Sequence, residues 1–234
     1  LRWMYYDEYI KQSNVTTVWE ITNIIRKGWK LLIKVLDYTK NPLTLMGTAA
    51  SECWGSTPSP QIGIDCIESS HNRVLEYPEV TVVIDGCSAR VIREIYTHIV
   101  GTTRLQASTR YIKYGEFEYI IPDSVKNNNY AYEEYIQLMS NVQGVYKYLE
   151  ELGIPKEDIA NILPLGMISK IVLKINARAI LHMAELRLCN RAYWEFRDFM
   201  KEFLGVVKGL DDEWEKIISY AKCKCEVYGY CNEK

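Results

Sequence analysis

Neither a GxxxxGK[ST] phosphate loop nor a GxGxxG dinucleotide fingerprint occurs in this chain, so a bound phosphate must be held by something other than a glycine-rich turn at a helix start. No apolar run approaches the length that spans a bilayer, and the opening LRWMYYDEYIKQ is too aromatic and charged for a signal peptide. The expected location is cytoplasmic, with no membrane partner. The chain begins at Leu1, so its first residues are expected to be incomplete or processed. Charge of one sign is not in excess either: 28 basic against 30 acidic residues, net -2, leave no global field to draw a nucleic acid polymer. An anionic ligand must be met by locally clustered arginines. The seven cysteines are odd in number and form no regular framework. Cys223-x-Cys225 with Cys231 could begin a zinc or redox knuckle, but a closed zinc site needs four ligands and no histidine is near. Free thiols, a frayed tail and no metal are expected.

What is present is enough for one domain with small additions, since 234 residues at 48% hydrophobic content can bury a substantial core. The 18 tyrosines read as half-buried packing rather than a stacking code. The run from Thr97 to Tyr111 sets small hydroxyls, Arg104, Arg110 and His98 around Gly101. That is anion-binding chemistry: forked guanidinium donors suit a phosphate or a planar, carbonyl-rich base, and Ser108, Thr109 and backbone N–H groups can complete an oxyanion shell.

Periodicity and punctuation predict alternating elements. Strands are expected at 31–36, 80–84, 117–121 and 168–174. Helices are expected at 42–54, with Asn41 as cap and Pro42 in the first turn, and at 64–76, 88–98, 130–152 and 156–163. Asp85-Gly86 reads as a turn, 123–129 as a polar loop, and Asn176 as the cap of a helix running to about residue 203. On that last helix Arg178 and His182 share one side, with Arg187 and Arg191 nearly opposite. Two polar faces suit a helix between two wet regions, and a solvated face with snorkelling arginines fits equally well.

Several separated motifs, covering roughly residues 32–220, resemble the flavin-dependent thymidylate synthases. Ser70-His71-Asn72-Arg73-Val74-Leu75-Glu76-Tyr77 comes first, followed by a strand, by Arg93-Glu94-Ile95-Tyr96-Thr97-His98 and by Gln106-Ala107-Ser108-Thr109-Arg110-Tyr111. Leu163-Pro164, Asn176-Ala177-Arg178, Leu186-Arg187 and Tyr193-Trp194-Glu195 then follow the family's order and spacing.

The resemblance implies an α/β (α+β) fold, an antiparallel or mixed sheet flanked by long helices. It implies a homotetramer with active sites where subunits meet, an N-terminal extension over 1–30, the family domain over 31–222 and a cysteine-containing tail over 223–234. The implied reaction is reductive methylation of dUMP to dTMP. Methylenetetrahydrofolate gives the one-carbon unit, FAD carries the hydride and NADPH is the reductant. Ser108 and Arg110 match the dUMP-binding Ser-x-Arg, flanked by Gln106, Ala107 and Thr109. Glu94 stands where the family has a dUMP-contacting Gln, and Arg187 matches the arginine that polarises a uracil carbonyl so that C5 becomes nucleophilic. Ser108, Arg110 and Arg187 are thus the implied catalytic set. His71, Arg73 and Glu76, with Thr97, His98, Ile99, Arg104, Asn176, Arg178, His182, Leu186 and Arg191, fall on the implied FAD side.

Three departures stand out. Thr97-His98-Ile99 replaces the family's Arg-His-Arg signature, one residue is inserted before Ser108, and Ala160 replaces an arginine before Leu-Pro. Arg104 could reach the anionic groups that the missing arginines would hold. Cys87 and Cys189 are read as packing residues, because this chemistry activates uracil electrostatically and needs no thiolate. Two other readings share these residues: a pyrimidine nucleotide hydroxymethylase, in which water intercepts the one-carbon adduct, and a non-catalytic flavin- or nucleotide-binding homologue. Retention of Ser108, Arg110 and Arg187 argues against the second.

Overall fold

The structure, a computed structural model, describes residues 24–26 and 29–231. In chain order, β1 (Ile24–Arg26) and β2 (Trp29–Tyr38) lead into α1 (Pro42–Trp54), α2 (Pro60–Glu68) and a 3-10 turn over Asn72–Glu76. Then come β3 (Glu79–Ser88), α3 (Ala89–Ile95), β4 (Thr102–Gln106), α4 (Asp123–Lys126), α5 (Asn129–Glu151) and α6 (Lys156–Ile159). The chain finishes with β5 (Ile168–Asn176), α7 (Ala177–Arg187), α8 (Trp194–Lys208), α9 (Asp212–Ile218) and α10 (Lys224–Tyr228). The strands form one sheet in the order β1-β2-β3-β5-β4, and every pairing is antiparallel. Part of the expected N-terminal extension is therefore a strand of the sheet; residues 1–23 lie outside the described residues.

The side-chain period of two decides which face of the sheet is covered. Along β5, Ser169, Ile171, Leu173 and Ile175 are buried, while Lys170 and Lys174 point the other way and pair with Asp85 at 2.6 Å and Glu79 at 2.7 Å. The covered face meets α1, α3, α7, α8 and α9. Phe196, Phe199, Met200, Phe203, Leu204 and Val207 of α8 recur at helical spacing, so one continuous apolar stripe enters the core. A smaller cluster packs α5, through Met139 and Tyr146, onto Tyr114, Phe117, Ile159 and Met167.

Several sequence expectations need correction. The helix expected at 64–76 ends at Glu68, because Ser70 adopts φ 62 before the 3-10 turn begins. Asp85-Gly86 is not a turn. β3 runs through it with a register shift between Asp85 and Cys87, which Gly86 accommodates at φ 106. The 117–121 strand reduces to one bridge between Tyr119 and Met167. Residues 123–126 form a helical turn, and Asn128 then caps α5 through a 3.1 Å bond from the Ala131 N–H. Residues 156–163 split into α6 and a 3-10 turn over Ala160–Ile162, which takes in Ala160. Asn41 sits at the N-cap of α1 in the left-handed region and makes no capping bond; Glu213 instead binds Thr44, at 3.0 Å from N–H and 2.7 Å from Oγ1.

Two differences bear on function. The segment 97–111, read as one loop, contains edge strand β4, whose alternation is too short and too polar to stand out. The helix expected from Asn176 to about 203 is two helices. Asn176 does cap α7, accepting from the Ala179 N–H at 2.9 Å, but α7 ends at Arg187. Arg197 of α8 closes the break by donating to the carbonyls of Asn190 at 2.5 Å and Ala192 at 3.0 Å. Apolar periodicity continues on both sides of the break and hides it from the sequence.

Gly101 joins the turn to the sheet. Its φ is +73, and a Cβ there would lie 2.6 Å from the Asn176 side chain that caps α7. Gly101→Ala is therefore expected to destabilise the protein by about 1–3 kcal/mol. Its denaturant midpoint measures this, against a midpoint raised by Gly144→Ala within α5, where nothing lies within 4 Å of an added Cβ and alanine favours the helix.

Candidate active site

Arg187, the last residue of α7, is the hub of a half-buried polar cluster. Its Nη1 donates to Glu94 Oε2 at 2.8 Å, its Nε to His98 Nε2 at 3.0 Å and its Nη2 to Thr97 Oγ1 at 3.3 Å. The guanidinium also lies 4.7 Å from the centre of the Phe196 ring. Helix α3 carries Glu94, and the turn that follows delivers Thr97 and His98. An arginine has five N–H donors, so the three used here leave two for a ligand.

His98 is buried against Phe196, and the His182 ring lies 6.4 Å away. Burial, then the neighbouring Arg187, His182 and Arg104, lower its pKa to about 4. It is neutral at physiological pH, and a neutral ring accepting at Nε2 carries its proton on Nδ1.

Arg104 faces inward on this turn. Its Nη1 donates to the Tyr96 carbonyl at 2.9 Å and the His98 carbonyl at 3.0 Å, and its guanidinium lies 5.1 Å from the Tyr96 ring centre. Through Nη1 it fastens the turn. Ile99 is 70% exposed and touches none of this cluster's polar groups.

Ser108 and Arg110 lie elsewhere in the chain. They follow the Gln106 end of β4, whereas the Arg187 cluster adjoins the Thr102 end; five strand residues separate the two by roughly 13 Å. The Ala107 N–H prolongs the β4–β5 pairing with a 2.8 Å bond to Lys170 O, and Ser108 Oγ accepts from the Arg110 N–H at 3.2 Å. The Arg110 guanidinium is exposed and pairs with Glu157 at 3.2 Å. On one chain, then, Gln106 to Arg110 sit by one end of β4, and Glu94 and Arg187 by the other.

A third locus is a cleft of about 440 Å³ lined by His71, Arg73, Arg178, Trp54 and Tyr77 among others. Arg178 is ion-paired with Glu76, and His71 Nδ1 lies 2.8 Å from Ser69 Oγ. Asn176 is occupied as the cap of α7; Leu186 is exposed on that helix, and Arg191 is exposed in the break after it. Arg191 thus does not share a helix face with Arg187.

The sequence did not single out Phe196, Trp54 or Tyr77. Trp54, followed by a helix-ending Gly55 at φ 66, was the available signal, since an aromatic at a helix end beside charged residues often rims a cleft. Cys87 is fully buried and its thiol pKa is raised well above the ordinary value, so it supplies no thiolate. Cys189 is a partly exposed free thiol in the α7–α8 break. No group of three or more potential metal ligands occurs among the described residues.

Comparison with known proteins now adds to this geometry. Residues 34–210 match the family described as thymidylate synthase complementing protein. A flavin-dependent thymidylate synthase of Thermococcus onnurineus is 32% identical over 89% of this chain and 91% of its own length. This chain belongs to the flavin-dependent thymidylate synthase family. A second such synthase, from Pyrococcus furiosus, is 32% identical over 86% of this chain and 89% of that protein. Among solved structures, Thymidylate Synthase X of Helicobacter pylori, crystallised with FAD and dUMP, matches at a TM-score of 0.63 and 20% identity, covering 80% of this chain and 96% of that one. The last match shows that the family fold is shared.

The lowered pKa of His98 predicts a pH dependence for this family member. A histidine at about 4 in the folded chain and near 6.5 when unfolded takes up its proton preferentially on unfolding. Its contribution is complete above about pH 6.5 and is lost as pH falls towards 4. Stability of the wild type relative to His98→Gln is expected to fall by on the order of 2 kcal/mol between pH 7 and pH 4. Paired denaturation curves test this; parallel pH profiles for the two proteins would contradict it.

Proposed function

We propose that this chain is a cytoplasmic, homotetrameric flavin-dependent thymidylate synthase that converts dUMP to dTMP, with methylenetetrahydrofolate as one-carbon donor and NADPH as reductant. The observation that carries this reading is Arg187. It is a permanently charged fork held by three acceptors, with two N–H donors left to meet a planar carbonyl edge. On a uracil ring it would draw electron density to the carbonyl oxygen, and the charge that develops as C5 attacks the one-carbon unit would fall beside a fixed cation. Neutral His98 adds no second charge and keeps Arg187 in place.

The dUMP phosphate is assigned to Ser108 and Arg110, with Gln106, Ala107 and Thr109 alongside. These residues and the Arg187 cluster adjoin opposite ends of β4, and a homotetramer in which one subunit supplies the ring-binding arginine and another the phosphate-binding turn accommodates that spacing. Exposure of Arg110 beside an open sheet edge suits such a shared site.

The cleft by His71 suits FAD. Trp54 and Tyr77 are more than half exposed and offer flat apolar faces, while Arg73 and Arg178 bring cations for its phosphates. Held there and reduced by NADPH, the flavin would supply the hydride that completes the methyl group. Glu76 keeps Arg178 aligned on the rim, and Asn176 sets the start of α7, which carries Arg178, His182, Leu186 and Arg187.

A purified protein with a flavin spectrum that dUMP perturbs is the expected result, together with tritium release from C5-labelled dUMP when NADPH and methylenetetrahydrofolate are supplied. A colourless protein that cannot be reconstituted with FAD would overturn the reading, and a hydroxymethyl product by mass would move it to the hydroxymethylase. Arg187→Ala is expected to lower turnover about 10²–10³-fold. Cys189→Ala should leave turnover intact.

A further inference from the structure

Glu195 takes no part in the chemistry above, yet it is the only acidic side chain among the fully buried described residues. It lies in the first turn of α8 and faces the junction of β3 and α3. One carboxylate oxygen accepts from the Ser88 N–H at 2.7 Å and the other from the Ser88 hydroxyl at 2.6 Å. That hydroxyl accepts in turn from the Val91 N–H at 3.2 Å, which makes Ser88 the N-cap of α3. Burial, and then the nearby Glu195 carboxylate, raise the pKa of the Tyr193 phenol.

The same helix meets Arg187 at its other end. Arg90, in the first turn of α3, stacks on the Tyr193 ring at 4.1 Å and brings its Nε to 3.9 Å from Glu94 Oε1. The other oxygen of Glu94 holds Arg187 at 2.8 Å. A route therefore runs from Glu195 to Arg187 along the backbone of α3 from its cap to Glu94.

We propose that Glu195 is a positioning residue for Arg187: by fixing Ser88 it sets where α3 presents Glu94, and so where the guanidinium stands. The inference rests on the function proposed above. Stability alone is a weak reason for a buried carboxylate here, because replacing buried charge with well-packed apolar groups is often neutral or stabilising. What a carboxylate adds is two short, directional bonds to the backbone N–H and the hydroxyl of one residue, which fix the rotation and height of a seven-residue helix. A slip of about 1 Å at a binding group is enough to cost substantial turnover.

The test compares Glu195→Gln, Glu94→Gln and the double variant as flavin-loaded enzymes, by dUMP titration calorimetry and steady-state kinetics well below each Tm. The amide keeps the volume, but its NH2 cannot accept from the Ser88 hydroxyl. Glu195→Gln is expected to lower kcat/KM for dUMP about tenfold. The double variant is expected to be no worse than Glu94→Gln, since both changes act through one contact. Wild-type dUMP affinity and kcat in Glu195→Gln, with only a lower Tm, would overturn the proposal, as would losses that multiply in the double variant. Should Glu195→Gln fail to fold, Ser88→Ala removes the hydroxyl bond to the same carboxylate and is read by the same criteria. Failure of the wild type to bind flavin and dUMP would overturn the proposed function and this inference together, whereas normal wild-type binding with an indifferent Glu195→Gln overturns this inference alone.

Discussion

The arrangement depends on keeping one guanidinium in a half-buried place without losing it to solvent or to a fixed internal partner. Arg187 is held by a carboxylate, an imidazole and a hydroxyl drawn from a single segment, Glu94 to His98. The carboxylate balances its charge. The imidazole can accept from it only while neutral, and burial beside a cation enforces that neutrality. Three acceptors of different strength orient the fork and still leave donors for a ligand, whereas a lysine would offer a point charge with no preferred plane.

The rest of the fold serves to bring that segment and α7 together. Central strands β3 and β5 pair along almost their whole lengths, so the ends that launch α3 and α7 have a fixed register. Asn176 caps α7 and packs against Gly101, and its backbone N–H donates to the Gly101 carbonyl at 3.0 Å. The turn that presents His98 is thereby fastened to the helix that presents Arg187. Arg104 adds a second fastening from inside the turn. Beside His98 stand Thr97, an acceptor for Arg187, on one side and exposed Ile99 on the other.

The sequence made the individual residues legible and hid their grouping. The patterned elements could be read because burial imposes a period: β5 alternates, α5 carries a stripe, and Asn176 caps as its position suggests. The break between α7 and α8 was hidden because the apolar period resumes with little change of phase, and the signal that closes it, Arg197, bonds carbonyls and leaves no mark on hydropathy. Strand β4 was hidden because an edge strand with one exposed face needs few apolar residues. That strand separates Ser108 and Arg110 from His98, so residues only ten to twelve apart in sequence, which looked like one cradle, lie beyond opposite ends of a strand. Glu195 was visible only as part of a motif; its contact with Ser88 joins residues 107 apart, which no local pattern reveals.

The claim that Arg187 is held by a neutral His98 is open to direct measurement by ¹⁵N NMR of histidine- and arginine-labelled protein titrated with dUMP at pH 7. The account predicts an unprotonated His98 Nε2 that accepts a hydrogen bond, a slowly exchanging Arg187 Nε–H, and shifts in both when dUMP is added. A protonated His98 at that pH, or an Arg187 Nε–H that exchanges freely and ignores dUMP, would contradict it.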